Sequence, residues 1–114
     1  MNTFTDLEWG HGVESPDTFA PTELDCRQWA RVCKQAGMKG IILTAKHHDG
    51  FALFKSEVSD YNIVDYTQFE RDIIKELSEA CHRNGLKFGV YYSQAQDWDE
   101  PDAPYIAPRL EGTR

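Results

Sequence analysis

Two short apolar runs organise this chain. Gly40-Ile41-Ile42-Leu43-Thr44-Ala45 and Leu86-Lys87-Phe88-Gly89-Val90-Tyr91-Tyr92 predict strands over residues 38–45 and 86–93. Each follows a stretch with helical spacing. In the first, Asp25 is the predicted start, with Gln28 three residues on in the style of a capping box. Trp29, Val32, Cys33 and Ala36 give that helix one apolar face, and Gly37 stops it. The second helix is predicted from about Phe69 to Arg83, with Ile73, Ile74, Leu77, Ala80 and Cys81 on its face and Asn84-Gly85 as its stop. Between the first strand and the second helix, residues 46–67 predict a long connection rich in Ser56, Ser59, Asp60 and Asn62. Residues 1–21, broken by Gly10, Gly12, Pro16 and Pro21, predict loop. So do the residues from Gln94 onward, with Pro101, Pro104 and Pro108.

The pattern repeats. Gly37-Met38-Lys39, an apolar strand and then Asp49 are echoed by Gly85-Leu86-Lys87, a strand and then Asp97, each member lying 48 residues from its counterpart. Helix, glycine stop, strand and polar loop, taken twice, is the cadence of an α/β protein with parallel strands. Two parallel strands alone leave both sheet edges open, whereas such sheets are normally covered on both faces. The expectation is therefore a piece of a larger α/β domain.

Composition narrows the partners. A net charge of −7 disfavours nucleic acid and anionic membrane surfaces. No window approaches eighteen apolar residues, and the start Met1-Asn2-Thr3-Phe4-Thr5-Asp6 has no signal-peptide character. Localisation and oligomeric state stay open. Cys26, Cys33 and Cys81 read as buried free thiols; Cys26 and Cys33 are separated by about 10 Å along one helix, too far to bond each other.

The chemistry concentrates where the first strand ends. Leu43-Thr44-Ala45-Lys46-His47-His48-Asp49-Gly50-Phe51 runs from apolar to polar and closes on glycine. That is how a buried parallel strand ends at a functional face. A neutral imidazole offers one donor and one acceptor, which suits a hydroxyl. Metal ligation is the competing reading, although two ligands on one strand favour His-x-His over His-His because side chains alternate faces. Adjacent histidines converge only if the strand breaks or bulges, as Asp49-Gly50 allows. A purely structural pair is the third reading. On the second strand Leu86, Phe88, Val90 and Tyr92 are expected to pack on helices, with Lys87, Gly89, Tyr91 and Ser93 on the opposite face.

The ordered set Trp29-Ala30, Ala36-Gly37-Met38-Lys39, Leu43 to Phe51, Arg71-Asp72 and Gly85-Leu86-Lys87-Phe88-Gly89-Val90-Tyr91-Tyr92-Ser93 closely resembles the α-L-fucosidases of glycoside hydrolase family 29. The resemblance covers about residues 3–100. It implies a (β/α)₈ TIM barrel, of which this chain supplies about two βα units, since a whole barrel takes about 250 residues. It also implies that residues 1–114 lack the first barrel strand, the later strands and a C-terminal β-sandwich.

The activity implied for the parent protein is retaining exo-α-L-fucosidase chemistry on fucosylated glycans, with no metal or cofactor. Nucleophile and acid/base are expected downstream, so no catalytic residue is expected here and the chain alone is expected to be inactive. By the same resemblance His47 and His48 bind ring hydroxyls, Tyr91 lines the sugar pocket, and Glu8, in Glu8-Trp9, binds a hydroxyl. Trp98 is a candidate for stacking on a sugar face. Asp49 and Asp97 are not read as a catalytic pair; by the resemblance Asp49 orders its loop through backbone N–H groups, and Arg71-Asp72 is read as structural, with Asp72 in the first helical turn. The alternatives are a carbohydrate-binding remnant without catalysis and a metal-dependent hydrolase on a similar barrel.

Overall fold

The computed structural model describes Ser15 and residues 19–103. In chain order these form α1 (Cys26–Gln35), β1 (Gly40–Lys46), α2 (Ile63–Tyr66), α3 (Ile73–Arg83) and β2 (Lys87–Tyr92). The architecture is α/β, with two hydrogen-bonded parallel strands and helices α1 and α3 against one face.

Capping decides where each helix begins. The Asp25 carboxylate accepts from the backbone N–H groups of Arg27 (3.0 Å) and Gln28 (3.1 Å), satisfying donors the first turn leaves open. Asp72 does the same for Lys75 N–H at 3.0 Å, so it is the N-cap of α3 and not a first-turn residue. The helix accordingly starts at Ile73, four residues later than the apolar spacing predicts. Phe69 lies ahead of it, edge-on to Phe19 with ring centroids 6.2 Å apart.

The helix ends repeat each other. Gly37 at φ +80° donates to Lys34 O, and Met38 N–H to Cys33 O. Forty-eight residues on, Gly85 at φ +68° donates to His82 O, and Leu86 N–H to Cys81 O. Both are Schellman closures in which the glycine takes a left-handed conformation that a side chain disfavours.

The strands pair from Gly40↔Lys87 to Thr44↔Tyr91, and Lys46 then pairs with Tyr92, so Ala45 is an inserted residue. The core is built mainly from small side chains where α1 meets α3. Cys26 and Ala30 face Ile73, Leu77, Ala80 and Cys81, and Leu86, Ile41, Leu43 and Phe88 close the layer from the sheet. This corrects the face predicted for α1. Trp29 and Val32 are exposed, and the inward stripe is Cys26, Ala30 and Cys33. Small residues win because they let two helices and a sheet approach closely. The face predicted for β2 holds only in its first half. Leu86 and Phe88 pack on the helices, but Val90 and Tyr92 are half exposed. Burial pushes the Cys26 and Cys81 thiols up, and Cys26, Cys33 and Cys81 are all free.

The connection after β1 is more structured than its composition predicts. Leu53 N–H returns to Ala45 O at 2.7 Å, and Ala52 exchanges backbone bonds with Tyr61 and Ile63. Phe51, Tyr61 and Ile63 form a second small core beneath it. Asn62, fully buried, organises the segment. Its carbonyl oxygen caps α2 through Val64 and Asp65 N–H, and its amide donates to Ser59 O and to the Asp65 carboxylate. Hydrogen bonds from Lys55 and Asn62 hold the Asp65 carboxyl below its usual range.

Among the described residues no helix is long and apolar enough to cross a membrane.

Candidate functional site

Polar side chains gather beyond the carboxyl ends of the two parallel strands, the end at which α/β sheets bind ligands. The backbone explains the gathering. The Ala45 insertion rotates the end of β1, and the chain then turns, Gly50 N–H reaching His47 O at 3.1 Å. His47 and His48 are therefore outside the strand and freed from its alternation. Their rings lie 4.2 Å apart between centroids, tilted by 35°, and the His47 ring lies 5.7 Å from that of Tyr91. Tyr91 is exposed on the sheet face away from the helices, the face that also carries Ile42.

Four contacts tie this turn to the segment after β2. Ser93 N–H donates to Lys46 O at 2.9 Å, and Trp98 N–H to His48 O at 2.8 Å. His48 Nδ1 lies 2.7 Å from Ser93 Oγ. Lys46 Nζ donates to the Asp97 carboxylate at 2.7 Å, with the two side chains only 8% and 20% exposed. Lys46 also sits over the Tyr92 ring, 4.7 Å from its centroid. Burial, with His47 second, pushes the His48 imidazole below its ordinary value and keeps it neutral near pH 7.

Asp49 and Asp97 have parallel local roles. Asp49 accepts from Phe51 N–H at 3.1 Å, and Asp97 accepts from Asp99 N–H at 2.9 Å. Both are Asx turns, so the 48-residue echo runs from the helix stops to these loops. Gly50 packs between them. At φ +84° a β-carbon there would run into the Asp97 carboxylate and come within 2.8 Å of Asp99 Cβ.

Of the sequence-predicted site residues, His47, His48 and Tyr91 come together, and Trp98 joins them through its backbone bond to His48. Glu8, with Trp9, lies outside the described residues. Lys46, Ser93 and Asp97 hold the arrangement together. Their signal in the sequence is weak, because each partner lies 45 to 51 residues away. No three His, Cys, Asp or Glu side chains among the described residues are grouped to hold a metal. A separate cleft of about 420 Å³, lined by Arg27, Arg31, Ala80, Arg83 and Asn84, lies between α1 and α3.

The family model for alpha-L-fucosidase matches residues 3–111. The chain belongs to the α-L-fucosidase family. Alpha-L-fucosidase 1 of Arabidopsis thaliana is 42% identical over 106 residues, covering 91% of this chain and 20% of that protein. Human plasma alpha-L-fucosidase is 42% identical over 85 residues, covering 73% and 18%. Among solved structures, a glycoside hydrolase 29 family member from an unknown rumen bacterium matches with a TM-score of 0.79 and 51% identity, over 88% of this chain and 18% of that one. The α-L-fucosidase AlfC of Lactobacillus casei matches with a TM-score of 0.73 and 49% identity, over 77% and 27%. The chain thus spans about a fifth of the curated fucosidases it matches. AlfC variants have been solved with 4-nitrophenyl α-L-fucopyranoside and with an α-1,6-linked fucosyl-GlcNAc.

Proposed function

We propose that this chain is the part of a retaining exo-α-L-fucosidase that recognises the fucose ring, and that bond cleavage is carried by residues beyond it. The observation that carries the reading is the convergence of His47, His48 and Tyr91 at the carboxyl ends of two parallel strands. Imidazole and phenol side chains suit the donor and acceptor pattern of sugar hydroxyls. Trp98 borders the same site and is assigned to stacking on a sugar face; Glu8 is assigned to a further hydroxyl.

The retaining mechanism needs two carboxyl groups about 5–5.5 Å apart, one to attack the anomeric carbon and one to protonate the leaving oxygen and later activate water. Asp49 and Asp97 are committed elsewhere. Each caps a turn, and Asp97 also neutralises Lys46. This agrees with a nucleophile and acid/base supplied from outside this chain.

The fold proposed for the whole is a (β/α)₈ barrel, with two of its βα units here. Support comes from the sheet itself. Ile42 is 75% exposed on the face away from the helices, where a barrel would bury it. The partner is a fucosylated glycan.

The test is 4-nitrophenol release from 4-nitrophenyl α-L-fucoside by two proteins, this chain and one extended through the flanking coding sequence. Turnover by the extended protein alone is the expected result. Turnover by the 114-residue chain well above a blank would sink the division of labour. A folded, silent extended protein would leave only the sugar-binding role.

A further inference from the structure

The contact between His48 and Ser93 carries chemical information beyond proximity. Ser93 is 4% exposed, and its hydroxyl has a single proton. That hydroxyl lies 2.6 Å from the backbone oxygen of Gln96 and 2.7 Å from Nδ1 of His48. A backbone carbonyl only accepts, so the Ser93 proton goes to Gln96 O. The hydroxyl oxygen then faces Nδ1 with lone pairs alone, and Nδ1 must be the donor. In a neutral imidazole the other nitrogen, Nε2, is left bare.

We propose that Ser93 is a positioning residue that fixes His48 as its Nδ1–H tautomer, so that Nε2 meets the substrate as a hydrogen-bond acceptor. The inference rests on the reading of His48 as a sugar contact and deepens it. The substrate hydroxyl opposite His48 must donate, and a group able only to accept is rejected there. The groups facing the imidazole agree with a neutral ring. His47 lies against it and, with burial, disfavours the charged form, while Asp49 opposes them more weakly. The device is rigid because both ends of the segment are pinned, Ser93 N–H on Lys46 O and Trp98 N–H on His48 O. Imidazole and backbone of His48 are thus both held by residues 93–98. A Ser93 substitution acts on the sugar site without touching sugar.

The experiment uses the extended protein with ring-¹⁵N histidine, the His48 signals being identified by their loss in His48→Gln. Long-range ¹⁵N–¹H correlation reads which nitrogen bears the proton. The expected result is protonated Nδ1 and bare Nε2 in the wild type, and a mixed or reversed tautomer in Ser93→Ala. KM for 4-nitrophenyl α-L-fucoside should rise about tenfold in Ser93→Ala, the scale of one lost hydrogen bond, with kcat less affected and Ser93→Thr closer to wild type. A wild-type His48 protonated on Nε2 would overturn the proposal without any variant. So would a tautomer that Ser93→Ala leaves unchanged. The sugar-contact reading fails separately, by His48→Gln leaving KM unaltered while the tautomer result stands.

Discussion

Replacing Asp97 with asparagine is the sharpest structural perturbation of this site, because it removes charge and keeps shape. The amide oxygen of Asp97→Asn can still accept from Asp99 and Glu100 N–H, as the carboxylate does at 2.9 and 3.2 Å. What it cannot do is neutralise Lys46, whose side chain is 8% exposed. Breaking a buried pair by removing one partner costs about 3–5 kcal/mol, since a charge is left without compensation. Here the cost falls just below that range, about 2–3 kcal/mol. The Tyr92 ring, 4.7 Å from Nζ, retains part of the stabilisation, about 1 kcal/mol by cation–π attraction.

The reverse change is milder. Lys46→Met strands a carboxylate that is 20% exposed and keeps its backbone donors, so about 1–2 kcal/mol is expected. The double variant should fall short of the sum by about 1–2 kcal/mol. Urea unfolding of the extended protein, followed by tryptophan fluorescence, gives each value from the midpoint shift at constant m. Costs below about 0.5 kcal/mol for both single variants, as for an exposed pair, would refute the reasoning. A larger loss for Lys46→Met than for Asp97→Asn would refute the assignment of lysine as the stranded charge.

Other consequences follow from the same geometry. Gly50→Ala should destabilise by more than about 1 kcal/mol and lower fucosidase activity in the extended protein, since φ is +84° and the new methyl meets Asp97 and Asp99; a neutral unfolding midpoint would contradict it. Asn62→Ala should cost about 2–3 kcal/mol, because a fully buried amide leaves the α2 N–H groups and Ser59 O unpaired; a loss under 0.5 kcal/mol in urea would count against the Asn62 account. His48 has a folded-state pKa lowered from 6.5, so the unfolded chain takes up its proton first as pH drops. Its contribution is full above about pH 6.5 and is lost as pH falls toward the folded value. The urea midpoint should therefore decline from pH 7 to pH 5 less steeply in His48→Gln than in wild type; equal slopes would remove His48 from the explanation.

Much of the fold was legible in the sequence, and its failures share a cause. Asp25, Gly37 and Asn84-Gly85 marked helix ends correctly because capping is local chemistry, written within four residues. Both strands were legible as apolar runs between glycines and polar loops. The inward face of α1 was not. Hydropathy favours Trp29 and Val32, whereas the space between α1 and α3 admits Cys26 and Ala30, and that space is a tertiary fact. The four-residue α2 is too short for periodicity, and what holds it is a buried asparagine. At the site His47 and His48 stood out in sequence, but Ser93 and Lys46 did not. Their meaning depends on register and on the inserted Ala45, which no local pattern encodes.

The same register explains why the site cannot be assigned to either βα unit. The 48-residue echo gives each unit its own helix stop, strand and Asx turn, as if each were self-sufficient. Yet the groups that fix the histidine pair cross between units. The carbonyl of Lys46, its ammonium group, and the imidazole and carbonyl of His48 all find their partners in residues 93–98. None of these partners is available until β1 and β2 are paired. Strand pairing is therefore the event that makes an imidazole acceptor out of His48 and buries the charge of Lys46. A variant that weakens pairing, such as one filling the close approach of Gly40 to Lys87 O, should disturb the site from its far end, because the sheet register is what brings the two loops together.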